Sequence, residues 1–195
     1  NFTVDENIVC MQLTGLLIKI DRASSSISYY KPDGTLLLKE RKKDSRTMEA
    51  FQSYRVEQEG QTTHIQTADG VKTFVKDAVR VPDKQLYHTR MHFEWQQGEA
   101  LYGLGQHEEG VLNLRGHQVY LHQANRKIAI PLLVSSLGYG ILINTSSTMI
   151  FSDTEYGSYL YTEAVPQLDF YFINGEGMDG VVREYRRLTG CLLYT

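Results

Sequence analysis

Residues 128–144, IAIPLLVSSLGYGILIN, contain two apolar runs separated only by Ser135, Ser136, Leu137 and Gly138. Such a segment reads as a buried hairpin, and it constrains the fold more tightly than any other stretch of the chain. A buried hairpin must be covered by other layers, so the remaining segments have to supply faces that are apolar on one side. They do so mostly with period two. Tyr87, Thr89, Met91, Phe93 and Trp95 alternate with His88, Arg90, His92 and Glu94, the clearest strand in the sequence.

Residues 8–20 shift into the same alternation, with Leu16, Ile18 and Ile20 on one face and Leu17, Lys19 and Asp21 on the other, which predicts one half-buried strand. Residues 26–30 and 35–39 flank Lys31, Pro32, Asp33 and Gly34. There proline presets φ and glycine accepts a positive value, so the two runs form a hairpin. The charged run 41–46 has no interleaved aromatics and predicts a solvated loop. A weak strand follows at 52–57. Ala68, Asp69 and Gly70 mark a turn, and the strand after it, 71–81, should stop at Pro82. Short strands are expected at 148–153, 157–161 and 168–172. Only then does the period change. Met178, Val181, Val182, Tyr185 and Leu188 form a helical stripe, with Asp179 in the first turn, Arg183, Arg186 and Arg187 towards the end, and Gly190 placed to cap it. Many short strands followed by one helix predict a mainly β chain, an antiparallel β-sandwich with one C-terminal helix.

At 195 residues the chain suits one sizeable core. Its 42% apolar and 22% charged residues exclude a disordered chain, and no apolar run approaches the ~20 residues of a membrane span. A net charge of -3 gives no reason to expect nucleic acid or an acidic membrane as partner. Cys10 and Cys191 make neither a zinc pattern nor a disulfide framework, which predicts buried or free thiols. Beginning at Asn1 without Met or a signal-like segment, the chain reads as trimmed, and its first residues leave periplasm and cytoplasm both open.

Gly103, Gly105 and Gly110 bracket Gln106, His107, Glu108 and Glu109, a polar cluster suited to a polyol on backbone free to turn sharply. Gly103-Leu104-Gly105 lacks the third glycine, the lysine and the helix of a phosphate loop, and predicts a tight corner between strands. Ser135, Ser136 and the histidines show no triad spacing. His88 and His92 share a strand face about 13 Å apart, too far for one metal ion. Most tyrosines alternate with polar residues and read as sandwich filling.

Three blocks in order, YGLGQHEEG, IPLLVSSLGYGILIN and LDFYFINGEGMDGVVREYRRLTG, resemble the N-terminal β-sandwich domain of glycoside hydrolase family 31, which contains α-glucosidases and α-xylosidases. The resemblance is close over residues 101–190 and one of pattern before that. It implies a galactose-mutarotase-like supersandwich over residues 1–190, with CLLYT at 191–195 a tail outside the family pattern. It further implies the non-catalytic N-terminal domain of a retaining α-glycosidase that acts on α-linked oligosaccharides in carbohydrate metabolism and needs no cofactor. In the family both catalytic aspartates belong to a following (β/α)8 barrel, which would be this domain's partner within one polypeptide. The face meant for that barrel should be a bare apolar patch near the helix, or should drive self-association. Retaining hydrolysis needs two carboxylates about 5 Å apart, whereas the adjacent Glu108 and Glu109 point to opposite sides of an extended segment. No residue is therefore assigned as catalytic or as a metal ligand.

What the resemblance does carry over is a loop. In the family, a loop just before the block matching IPLLVSSLGYG reaches over the barrel mouth and gives polar contacts to the sugar. Here it spans 121–127, which makes His122, Gln123, Asn125 and Arg126 the substrate-binding candidates. Asn125 stands where the family has an acidic residue, and Gln106 replaces the Glu often found after YGxG. The rival readings are a stand-alone carbohydrate-binding module, and a sugar mutarotase or epimerase using His107 with Glu108 or Glu109.

Overall fold

The fold is that of a computed structural model, which describes residues 2–58, 60–76 and 78–190. In chain order its strands are β1 (Phe2–Val4), β2 (Ile8–Leu13), β3 (Leu16–Asp21), β4 (Ile27–Tyr30), β5 (Leu36–Glu40), β6 (Arg46–Gln58), β7 (Gln61–Thr67) and β8 (Gly70–Lys76). There follow β9 (Val79–Glu94), β10 (Leu101–Gln106), β11 (Gln118–Leu121), β12 (Ile128–Ser135), β13 (Tyr139–Ile143), β14 (Met149–Thr154), β15 (Gly157–Val165) and β16 (Phe170–Asn174). The helix α1 (Gly177–Thr189) closes the described chain. A ten-stranded sheet runs β1-β2-β3-β4-β5-β9-β15-β14-β11, with β6 also paired to β9. A four-stranded sheet, β10-β12-β13-β16, packs against it, and β7 and β8 form a separate hairpin. The expected antiparallel sandwich with one C-terminal helix is the observed architecture.

The central hairpin forms as its sequence implies, with Leu132, Leu133 and Val134 of β12 opposite Leu142, Ile141 and Gly140 of β13. Its apolar runs are continuous because both faces are covered. Leu133, Tyr139, Ile141 and Ile143 point into the core between the sheets, where they meet Leu37, Leu38, Met91, Phe93, Phe151 and Leu160. Leu132, Val134 and Leu142 point the other way and, with Ile173, pack under Val181 of α1. Phe172 stacks on Tyr29 across the sandwich with ring centroids 3.8 Å apart. The helix lies so close to the small sheet that a Cβ on Gly140 would come within 2.6 Å of Val181 Cγ1.

Several local expectations are corrected. Residues 8–20 are not one strand but the hairpin β2–β3, turned at Gly15 with φ 77°. Val9, Met11 and Leu13 of β2 stand opposite Ile20, Ile18 and Leu16 of β3, so the face-sharing positions change from odd to even across the turn, a break of phase that a reading of 8–20 as one strand overlooks. Pro82 does not end a strand: β9 runs through it from Val79 to Glu94. Proline lacks an N–H, which a strand tolerates at an open edge or a bulge. Here β15 pairs only with Tyr87 to His92, and the β6 register shifts beside Tyr54, the residue opposite Pro82. The weak strand at 52–57 is the end of the 13-residue β6. Gly103-Leu104-Gly105 is not a corner but a bulge inside β10, with φ of 97°, 64° and 98°. A side chain is excluded there, because a Cβ on Gly105 would sit 1.8 Å from Ile128 O. Arg46, expected in a solvated loop, opens β6 and faces the buried Glu40 at 3.5 Å.

The helix begins without a side-chain cap at Glu176 and ends before Gly190, with Asp179 in its first turn and Arg186 and Arg187 in its last. Its apolar stripe is only partly used. Val181 is fully buried, whereas Met178, Val182 and Leu188 are 44%, 47% and 47% exposed. No helix among the described residues is long and apolar enough to cross a membrane. Cys10 is a free, half-buried thiol, and Cys191 and the rest of the tail lie outside the described residues.

Candidate functional site

The loop 121–127 leaves β11, an edge strand of the large sheet, and enters β12 of the small one. It therefore crosses the rim of the sandwich, where its backbone has no sheet to join. Ala124 and Lys127 form a bridge that closes a tight turn over Asn125 and Arg126, with Arg126 at φ 62°. This turn separates the four candidates into two pairs. His122 and Gln123 line a hollow of ≈ 250 Å³ whose far wall is Thr145, Ser146, Ser147 and Thr148. Gln123 Oε1 accepts a bond from Ala129 N at 3.2 Å, and His122 lies edge-on to Tyr120 at 5.1 Å. Asn125 and Arg126 sit at the turn tip, outside that hollow, and all four side chains are exposed.

The tip and the end of the loop are tied to the segment after β10. Glu108 pairs with Arg126 at 3.5 Å, and Glu109 pairs with Lys127. The hydrogen bond from Lys127 holds the Glu109 carboxyl below its usual range. Both glutamates are thus occupied in positioning the loop. His107 Nε2 donates to Leu104 O at 2.8 Å, as it must because a carbonyl only accepts. The pairing of His107 with a free carboxylate that an epimerase would use is not formed. Among the described residues no three His, Cys, Asp or Glu side chains converge as metal ligands. His88 instead stacks on Phe51 at 4.4 Å, in a row on the outer face of the large sheet where Arg90 lies over the Tyr161 ring at 5.2 Å.

The hydroxyl run was missed by sequence reasoning, although NTSST between two apolar strands is a legible polar turn. Its shape is set locally: Thr145 Oγ1 accepts from Ser147 N at 3.0 Å and Ser147 Oγ accepts from Ala164 N at 2.9 Å. A second missed feature holds the other side of the rim. Arg115 donates to Asp153 Oδ2 at 2.8 Å and to Glu99 O at 3.0 Å, and Asp153 also accepts from Gly116 N. Burial raises the Asp153 pKa, but the bonds from Ser158, Gly116 and Arg115 outweigh it and leave the carboxyl below its ordinary value. Glu99, 4% exposed, accepts from Ser135 Oγ at 2.6 Å and from Tyr139 Oη, and burial pushes the Tyr139 phenol far up. These groups buttress the rim.

Two sheets of this strand order, an outer helix and a polar loop at the rim define a mutarotase-like β-sandwich domain. The family model for the glycosyl hydrolase 31 N-terminal galactose mutarotase-like domain matches residues 1–151, and the chain belongs to that family. An alpha-xylosidase of Saccharolobus solfataricus is 38% identical over 113 residues, covering 53% of this chain and 16% of its own length. An isomaltosyltransferase of Sporosarcina globispora is 30% identical over 211 residues, covering 97% of this chain and 16% of its own. Among solved structures, the cycloalternan-forming enzyme of Listeria monocytogenes in complex with a pentasaccharide substrate superposes with a TM-score of 0.71 at 20% identity, over 100% of this chain and 17% of the other. At that identity the superposition speaks for the fold alone. The chain spans about a sixth of the length of these proteins.

Proposed function

We propose that the chain is the non-catalytic N-terminal domain of a retaining α-glycosidase of the α-xylosidase or α-glucosidase kind. In this reading it docks to a (β/α)8 barrel of the same polypeptide and lends sugar contacts through residues 121–127. The observation that carries the reading is the loop, whose exposed His122, Gln123, Asn125 and Arg126 have no part in the core, while Arg126 at its tip and Lys127 at its end are held by ion pairs to Glu108 and Glu109. Polar side chains on a held loop suit recognition of hydroxyls. The docking part draws on an apolar groove of ≈ 440 Å³ between α1 and the small sheet, lined among others by Ile128, Ile130, Val182 and Tyr185. Ile128 and Val182 are 48% and 47% exposed, an arrangement suited to a partner domain and, in its absence, to self-association.

The test is kinetic and uses the longer enzyme of which this domain would be part. Gln123→Ala and Asn125→Ala there should raise KM or lower kcat/KM about tenfold, the loss of one or two hydroxyl contacts, and leave the melting temperature within a degree or two. Unchanged kinetics in both variants would retire the loop's role.

A further inference from the structure

A second hollow lies on the same rim and shares Gly103, Gly105 and Gln106 with the edge of the docking groove. It is a cleft of ≈ 420 Å³ between β10 and β11, lined among others by Gln106, Glu109, Leu112, Leu114, His117 and Gln118. Its volume falls in the range of roughly 300–1,000 Å³ that small-molecule sites occupy. We infer that this cleft is a binding site for one neutral pyranose unit, separate from the contacts of residues 121–127.

Its walls are held in place before any ligand arrives. Leu114 N donates to Leu101 O at 2.8 Å, and Asn113 Oδ1 accepts from Leu101 N and Arg115 N at 3.1 and 3.2 Å. Arg115 and Gly116 are in turn anchored on Asp153. The segment that carries His117 is thus fixed to the rim by the buttress described above. His117 Nδ1 donates to Arg115 O at 2.9 Å, which places the ring proton on Nδ1 and leaves Nε2 with its lone pair. His107 is fixed in the complementary way, with the proton on Nε2 and its Nδ1 buried without a partner.

The chemistry of the lining selects the ligand. Leu112 is 79% exposed and Val111 37%, a bare apolar lip beside the buried Leu114. An apolar lip packs on the C–H face of a sugar ring, while the amides of Gln106 and Gln118 and the imidazole of His117 supply donors and acceptors for its hydroxyls. The carboxylate in the wall, Glu109, is already neutralised by Lys127, so the cleft has no uncompensated charge for an acidic or basic ligand. Because Glu109 and Lys127 join the cleft wall to the base of the loop, a sugar bound here would lie beside the residues proposed above to reach the substrate.

The choice of probe rests on that functional reading; the existence of the site does not. Methyl α-D-xylopyranoside and methyl α-D-glucopyranoside are titrated into the 195-residue chain and followed by NMR chemical shifts. Saturable, millimolar binding of at least one is expected. Replacing His117 and Gln118 together by alanine should weaken it about tenfold, two hydrogen bonds' worth. Leu112→Ser, at a residue too exposed to unfold the chain, should weaken it several-fold, while His122→Ala and Gln123→Ala should leave it unchanged. No saturable shift with either glycoside, or binding that survives the cleft variants, would overturn the inference. Loss on the loop variants alone would also overturn it and would favour the loop as the sugar contact. Binding here with unchanged kinetics for the loop variants would leave this site standing and remove only the loop's role.

Discussion

Replacing Glu40 by glutamine should abolish most of the pH dependence of folding between pH 5 and 8. Glu40 is 2% exposed, its Oε2 accepts from Ile27 N at 2.9 Å and lies 3.5 Å from Arg46 Nε, and its Oε1 is buried without a partner. Burial pushes its pKa up from 4.5 to about 7, against the smaller opposing pulls of Arg46 and the Ile27 bond. For an acid with a raised folded pKa, stability is fully present below the unfolded value, where both states carry the proton. It is lost as pH rises through the folded value, because the unfolded chain gives up its proton first. At about 1.4 kcal/mol for each pH unit between those two values, the loss is about 3 kcal/mol, most of it between pH 5 and 8. Urea unfolding followed by Trp95 fluorescence measures it. Burial also lowers the pKa of His92, which contributes with the opposite sign. The charges acting on His92 are Arg41, Arg90 and Asp44, so its contribution cancels in the difference between wild type and variant. The wild type should lose stability from pH 5 to 8 while Glu40→Gln does not, leaving the variant the more stable at pH 8. Parallel pH profiles for the two proteins would refute the reasoning.

Gly140→Ala should cost about 1–3 kcal/mol by forcing Val181 and the helix away from the small sheet, whereas Gly110→Ala, strained in backbone with φ 67° but facing open space, should cost about 1 kcal/mol. Urea midpoints compare them, and equal losses would contradict the close helix packing. The purified chain should leave aryl α-glucosides and α-xylosides intact, since both local glutamates are engaged in ion pairs. Turnover above a buffer blank that disappears in Glu108→Gln or Glu109→Gln would show the opposite.

Much of the sandwich was legible in local pattern. The Tyr87–Trp95 alternation, the turn at Lys31 to Gly34 and the apolar runs around Ser135 are period and turn chemistry, which neighbouring residues set by themselves. The stripe of α1 was equally plain. The change of phase at Gly15 marks a turn that a single-strand reading passed over, and period two could not reveal why a proline is harmless at Pro82, beside a register shift against β6 and beyond the reach of β15. The bulge at Gly103 to Gly105 was hidden for a related reason: its glycines answer to the carbonyls of Leu132 and Ile128 on another strand. The rim depended on tertiary structure most of all. Residues 121–127 read as a polar interruption, but the turn closed between Ala124 and Lys127 lifts Asn125 and Arg126 away, and only the packing of the sheets put His122 and Gln123 against 145–148. The same packing set Glu108 and Glu109 against Arg126 and Lys127 and set 145–148 opposite the loop, contacts between segments distant in the chain, which no local period encodes.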